Sequence, residues 1–164
     1  MGQCKLLVMD VDGTLTDGKI YMGPDGESMK AFHVKDGFAI LHFLPEAGVI
    51  PAIITGRKSK ILENRCQELK IHYLCQGVAD KTQMLEKLLL ELKLNWNQTA
   101  YIGDDFNDLD AMTAVHNGGG IVGCPQDAAR EVRAIADYVT SVRGGEGAVR
   151  EFIAWLVHGE KAAQ

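Results

Sequence analysis

Lys5-Leu-Leu-Val-Met-Asp10-Val-Asp12-Gly13-Thr-Leu-Thr16 is a short apolar run that ends on two aspartates and then turns at a glycine. An apolar strand running straight into carboxylates is how an α/β sheet presents reactive groups at the carboxyl edge of its central strand. Side chains alternate faces along a strand, so Asp10 and Asp12 share one cleft if the strand continues and diverge slightly if Gly13 opens the turn. A carboxylate pair in one cleft can hold a hard cation such as Mg²⁺. It can also divide the roles of nucleophile and general acid between its two members.

Outward from this stretch the chain alternates strand and helix signals. Short strand-like runs at residues 19–22 and 28–32 flank Gly23-Pro-Asp-Gly26 and predict a β-hairpin flap over the site, spanning about residues 17–34. Residues 36–44 read as a helix with Asp36 near its N-cap, ended around Pro45 and Gly48. Residues 49–54 read as a buried parallel strand, although Pro51, with no N–H to donate, argues against a fully central position. Helices are expected at 58–69 and at Lys81–Leu92, with a short strand at 72–75 between them. Thr99–Ile102 is the next strand and delivers Asp104 to the same edge as Asp10, and Leu109, Met112 and Val115 mark the helix after it. Strands at 121–122 and 136–139, a helix at 128–133 between them, and a closing helix at about 148–157 complete the series. This order predicts a doubly wound, Rossmann-like parallel sheet with right-handed crossovers, and residues 1–164 as one domain. The intervals from Asp12 to Thr55 and from Thr55 to Lys81 leave room for a hairpin flap and none for a separate cap domain.

A chain of 164 residues that is 46% hydrophobic can build a single core. Seventeen basic residues against twenty-two acidic ones give a net charge of −5, which does not suggest a nucleic-acid or anionic-membrane partner. Apolar runs are far shorter than a membrane span, and Asp10 interrupts the one near the N-terminus, so the expected location is the cytoplasm. Cys4, Cys66, Cys75 and Cys124 have no metal-binding or redox spacing and read as reduced core residues. Asn97-Gln-Thr99 matches a glycosylation sequon, which means little without a secretory signal.

The chemistry gathers at the strand ends: carboxylates at 10 and 12, a hydroxyl at Thr55, an ammonium at Lys81, and carboxylates at 104, 105 and 108. Phosphoryl transfer needs this set, because the group in transit must be held, neutralised and attacked in line. On chemistry alone Asp10 is the nucleophile, Asp12 the general acid and then base, Thr55 a hydrogen-bond donor to phosphoryl oxygens, and Lys81 the balancing charge.

Asp10-Val-Asp12-Gly-Thr-Leu-Thr resembles the first motif of the haloacid dehalogenase superfamily. Ile53-Ile-Thr55-Gly56 resembles the second, Lys81 the third, and Gly103-Asp-Asp-Phe-Asn-Asp108 the fourth. Further stretches resemble the small phosphatases that act on 3-deoxy-D-manno-octulosonate 8-phosphate. They are Thr16-Asp-Gly-Lys-Ile-Tyr, Phe32-His-Val-Lys-Asp-Gly37, Thr55-Gly-Arg-Lys-Ser-Lys, Glu63-Asn-Arg65, Tyr101-Ile-Gly-Asp-Asp and Gly144-Gly-Glu-Gly-Ala-Val-Arg-Glu151. The resemblance covers nearly the whole chain.

That resemblance implies an aspartyl-phosphate intermediate and Mg²⁺ bound by Asp10, the backbone carbonyl of Asp12 and Asp104. It also implies supporting roles for Asp108 at the metal waters and Asp105 in the loop. Substrate recognition is implied for His33, Lys35, Asp36, Gly37, Arg57, Arg65 and Asn107, with Arg forks suited to the remote carboxylate of an eight-carbon sugar acid. A homotetramer in which a neighbouring subunit covers each site, with residues 144–150 contributing, is implied as well. Such relatives serve lipopolysaccharide precursor synthesis. The better-known members carry Arg where this chain has Leu41. Relatives acting on nine-carbon sialic-type 9-phosphates tend to have an acid where this chain has Arg57, which ranks the eight-carbon ester first. A catalytically weak domain of the kind fused to sialic acid activating enzymes is disfavoured by the intact set of catalytic residues. A phospho-receiver switch, from another class, places its phosphorylated Asp on a middle strand, after its acidic pair, whereas here the motif opens the chain.

Overall fold

The computed structural model describes residues 4–159, so residues 1–3 and 160–164 of the expected span lie outside it. Its centre is β1 (Leu6–Met9), four apolar residues buried on both faces, as a strand covered by helices on either side requires. β1 pairs in parallel with β4 (Ile50–Ile54) on one side and β6 (Thr99–Ile102) on the other. β5 (Tyr73–Cys75) continues beyond β4, and β7 (Ile121–Cys124) and β8 (Tyr138–Val139) continue beyond β6. The result is a six-stranded parallel sheet in the order β5-β4-β1-β6-β7-β8.

Period-2 alternation along β1 divides the core into two layers. Leu7 and Met9 face one side with α3 (Lys60–Glu68) and α7 (Ala148–His158), packing on Leu62, Cys66, Phe152 and Ile153. Leu6 and Val8 face the other with α4 (Lys81–Leu92), α5 (Phe106–Asn117) and α6 (Arg130–Ile135), packing on Leu85, Met112 and Val132. Phe152 is fully buried, which is worth about 1.5–3 kcal/mol for a side chain of its class. The doubly wound parallel architecture and the absence of a separate cap domain among the described residues match the expectation from sequence.

The smaller elements differ from expectation in instructive ways. The hairpin is β2 (Tyr21–Gly23) and β3 (Gly26–Met29), each shorter than the apolar runs that announced it. The helix expected to begin near Asp36 begins earlier, as α1 (Val34–Phe38): His33 is its N-cap, its ring nitrogen accepting from the Lys35 amide at 3.1 Å. It ends between Pro45 and Gly48 as expected, but reaches that end through a wider π-helical turn (Ala39–Phe43) into α2 (Leu44–Glu46), with Pro45 near the start of the latter. The Leu44 amide bonds back to Ala39, five residues earlier, and this widening gives Pro45 room that a regular turn would deny it.

Pro51 is tolerated in a non-edge strand for a directional reason. The Ile50 amide donates toward β1, to Lys5 at 2.8 Å, so the next position along the strand points its N toward β5. There β5 pairs only from Ala52 onward, and no carbonyl waits for a Pro51 donor. The helix at Lys81–Leu92 and the strand at Thr99–Ile102 fall where expected, and the other boundaries move by one or two residues, as with α6, which starts at Arg130, just after Ala129 donates its amide to the Asp104 carbonyl at 2.8 Å.

Candidate active site

The sheet order places the carboxyl ends of β1, β4 and β6 side by side, and each delivers one reactive residue. Asp10 follows β1 directly, Thr55 follows β4, and Asp104 lies two residues past β6. The Asp10 amide donates to Ile102 at 3.0 Å and the Thr55 amide to Cys75 at 2.9 Å, which extends the ladder by one rung and holds these residues rigidly. Lys81 arrives from the opposite direction as the first residue of α4, capped by Asp80, whose side chain accepts from the Gln83 amide at 3.0 Å.

These residues form a buried ionic cluster. The Lys81 ammonium lies 2.8 Å from Asp10 and 2.7 Å from Asp108. Burial presses the ammonium toward its neutral form, but the two carboxylates outweigh it and raise the Lys81 pKa. Asp108, wholly buried, also accepts from the Tyr101 hydroxyl at 2.9 Å and from the Asp104 amide at 3.1 Å. It is thus the anchor of the loop that carries Asp104, and Asp105 caps α5 beside it in a capping box.

One carboxylate oxygen each from Asp10, Asp104 and Asp108 lies within 4.8 Å of the other two. Burial, then the charge of Asp108, raises the Asp10 pKa; burial, then Asp10, raises that of Asp104. Crowded, desolvated oxygens of this kind suit a hard divalent cation. The backbone is shaped for it: Gly13 has φ +92°, and a Cβ there would fall 2.0 Å from Asp104 Oδ2. Thr14 donates its hydroxyl to the other Asp104 oxygen at 3.2 Å. Gly144 packs so tightly on this loop that a Cβ would lie 2.0 Å from the Gly13 carbonyl oxygen. The Asp12 carboxylate lies outside the trio and accepts from Lys30 at 2.7 Å.

A cleft of about 490 Å³ opens above the cluster, lined by Asp10, Asp12, Thr55, Asp104, Arg57 and Asn107 among others. The structure therefore brings together all the expected catalytic and metal positions except Lys81, which sits directly beneath, and two of the expected substrate residues. The other five do not reach this cleft within one chain. His33, Asp36, Gly37 and Arg65 line a separate narrow pocket with Phe32. Asp36 is buried there, accepting the Arg150 amide at 2.8 Å at the start of α7, a helix whose own N-cap, Gly147, has no side chain to offer. Arg65 pairs with Glu68 at 3.1 Å and lies over the Phe32 ring. Lys35 is exposed on α1. Leu41 packs against the core and does not line this cleft.

Sequence reasoning missed Lys30, Glu27, Thr14, Tyr101 and Phe106. Thr14 lies inside the opening motif, where a hydroxyl two residues past the second aspartate is the available signal. Tyr101 looks like ordinary core until its hydroxyl is placed on Asp108. Phe106 stands exposed on the cleft wall.

Comparison with known proteins agrees with this geometry. Residues 74–153 match the family model described as haloacid dehalogenase-like hydrolase. The 3-deoxy-D-manno-octulosonate 8-phosphate phosphatase of Yersinia pestis is 45% identical over 147 residues, 90% of this chain and 76% of that protein. The Escherichia coli K12 enzyme of the same name gives the same figures. The crystal structure of the Moraxella catarrhalis phosphatase, in complex with magnesium ion, phosphate ion and KDO, superposes with a TM-score of 0.90 at 38% identity, covering 99% of this chain and 90% of that one. The cobalt-bound Haemophilus influenzae phosphatase also gives 0.90, at 34% identity over 99% and 92% of the two chains. On these likenesses the chain belongs to the 3-deoxy-D-manno-octulosonate 8-phosphate phosphatase family of haloacid dehalogenase-like hydrolases.

Proposed function

We propose that this protein hydrolyses 3-deoxy-D-manno-octulosonate 8-phosphate to the free sugar acid and phosphate, in lipopolysaccharide precursor synthesis. The observation that carries the reading is the likeness, over 99% of the chain, to a phosphatase structure that holds magnesium, phosphate and KDO together. Asp10 attacks phosphorus, forming an aspartyl-phosphate as the bond to the sugar oxygen breaks, and Asp12 gives that oxygen its proton. Asp12 then takes a proton from water, whose oxygen attacks phosphorus. The Asp10–phosphorus bond breaks, and both carboxyl groups return to their starting states. Thr55 donates to a phosphoryl oxygen, and Lys81 balances the charge on Asp10 from below. Asp10, Asp104 and the Asp12 carbonyl would hold Mg²⁺, which supplies charge neutralisation at the phosphoryl oxygens. Arg57 and Asn107, on the cleft wall, are the residues we assign to the sugar acid.

The described residues act, in this reading, as one domain with the hairpin of about 17–34 as its flap. A two-stranded unit is marginal by itself, and Met22 and Met29 on it are exposed, so we assign the cover over each site to a homotetramer. We assign His33, Lys35, Asp36, Gly37 and Arg65 to substrate through that assembly, since within one chain they do not line the cleft. We assign the enzyme to the cytoplasm, where its four free cysteines stay reduced. Among the described residues no helix is long and apolar enough to cross a membrane.

The test is phosphate release with Mg²⁺ from the eight-carbon ester, a nine-carbon sugar-acid 9-phosphate and a hexose phosphate. We expect a strong preference for the first, loss of turnover with a chelator, and recovery with added Mg²⁺. Equal rates on all three esters would sink the substrate assignment. A monomer by light scattering would sink the subunit cover.

A further inference from the structure

Lys30 follows β3 directly, on the descending limb of the hairpin, and its side chain is only 3% exposed. A buried ammonium is costly unless well paired, and Lys30 is paired twice: with Asp12 at 2.7 Å and with Glu27 at 3.1 Å. Glu27 is fixed in turn by the Ser59 hydroxyl, which also caps α3, and lies 3.9 Å from Arg57. Lys30 is therefore held from two sides, by the hairpin and by the start of α3.

Among the described residues, Lys30 is the one hydrogen-bond partner of the Asp12 side chain, and it takes Oδ1 alone. Asp12 itself lines the cleft while Lys30 does not, so the ammonium stands behind the carboxylate rather than in the substrate space. A lysine meant to grip phosphate would project into the cleft. A lysine placed behind the carboxylate fixes its rotamer and leaves Oδ2 unengaged by any hydrogen bond. We propose that Lys30 is a positioning residue that orients Asp12 for proton transfer, so that seating of the hairpin and assembly of the acid–base group are one event. This rests on the role given to Asp12 above. It makes the flap part of the catalytic apparatus and not only a cover.

Two esters separate this role from a structural one. The 8-phosphate of the sugar acid is an alkyl ester whose leaving oxygen needs a proton, whereas p-nitrophenyl phosphate releases a phenolate that leaves without one. First-turnover rates are to be measured for the wild type and for Lys30→Met, Lys30→Arg and Glu27→Gln, with Mg²⁺ saturating. For Lys30→Met, loss of a positioned acid should lower the alkyl rate by roughly 100-fold, and the aryl rate by less than about threefold, with little change in KM. Lys30→Arg should restore most of the alkyl rate, since it keeps a donor at Asp12. Equal losses on both esters, loss on neither, or a rise in KM alone would overturn the proposal. Should Lys30→Met fail to fold, Glu27→Gln keeps the test: it loosens Lys30 without removing it and should show the same alkyl-selective loss at smaller size. If the wild type leaves the sugar ester untouched but cleaves p-nitrophenyl phosphate, the substrate assignment fails while the comparison still stands on glycerol 3-phosphate as the alkyl ester.

Discussion

Replacing Asp36 by Asn should make the protein more stable at neutral pH and leave it unchanged in acid. The buried carboxylate receives the Arg150 amide on Oδ1, while Oδ2 has no partner. Burial raises its pKa from an ordinary 3.8 to about 6, against the opposing help of the Arg150 amide and the charges of His33, Arg150 and Arg65 around it. At about 1.4 kcal/mol per pH unit, ionising Asp36 costs the folded state about 3 kcal/mol. The sign follows from proton counting: between about pH 4 and 6 the native state binds more protons than the unfolded chain, so stability falls as pH rises through that window and then levels off. Asn keeps the acceptor for Arg150 and cannot ionise, so the variant lacks this fall. Urea unfolding of both proteins at pH 4, 5, 6 and 7, at one protein concentration, reads the difference, in which the titrations common to both cancel. We expect near equality at pH 4 and an advantage for Asp36→Asn that grows toward about 3 kcal/mol by pH 7. A difference that does not vary with pH would refute the reasoning. So would a wild type that is the more stable above pH 6, since the surrounding cations would then outweigh burial.

Asp10→Asn should abolish phosphate release while circular dichroism stays native, because Lys81 keeps Asp108 as an ionic partner. Gly13→Ala drives a Cβ into Asp104 and imposes strain at φ +92°, so the Mg²⁺ concentration for half-maximal activity should rise by about 10–100-fold; an unchanged Mg²⁺ titration would contradict the fit described for that loop. Phe152→Ala opens a hole beneath β7 and should cost about 3–5 kcal/mol by denaturant unfolding, with the active-site residues untouched.

Much of the site was legible because reactive residues followed directly upon apolar runs. Met9 to Asp10, Ile54 to Thr55 and Ile102 to Asp104 are each a strand handing over to a functional group, and period-2 burial fixes the strand well enough to place what comes next. Lys81 was legible through its motif, since position alone marks it as an ordinary helix start. Lys30 was not, because its meaning depends on how a hairpin folds back across the sheet, and nothing local distinguishes it from a solvated lysine. Asp36 was misplaced for a related reason: an acid near a helix start looks like that helix's own cap, whereas here it serves α7, more than a hundred positions away. Its use there leaves it beneath the surface of the single chain. The wider turn before Pro45 escaped notice because local rules see a proline as an end, and only the packing of the whole segment shows how it is passed.

The position of β1 also has a consequence for biosynthesis. The strand that leads into Asp10 comes first in the sheet's chain order yet lies between two later strands, with Leu6 opposite Ile50 on one side and Thr99 on the other. On a ribosome adding about 5–20 residues per second, roughly 5–20 s separate the emergence of β1 from that of β6. Throughout that interval an apolar strand has an open edge, the kind of segment that chaperones shield. No nascent fragment that stops before β6 contains the cluster of Asp10, Lys81, Asp104 and Asp108. Recovery of turnover after denaturation therefore reports closure of the whole sheet across its most distant contacts, and should lag behind the regain of helical signal.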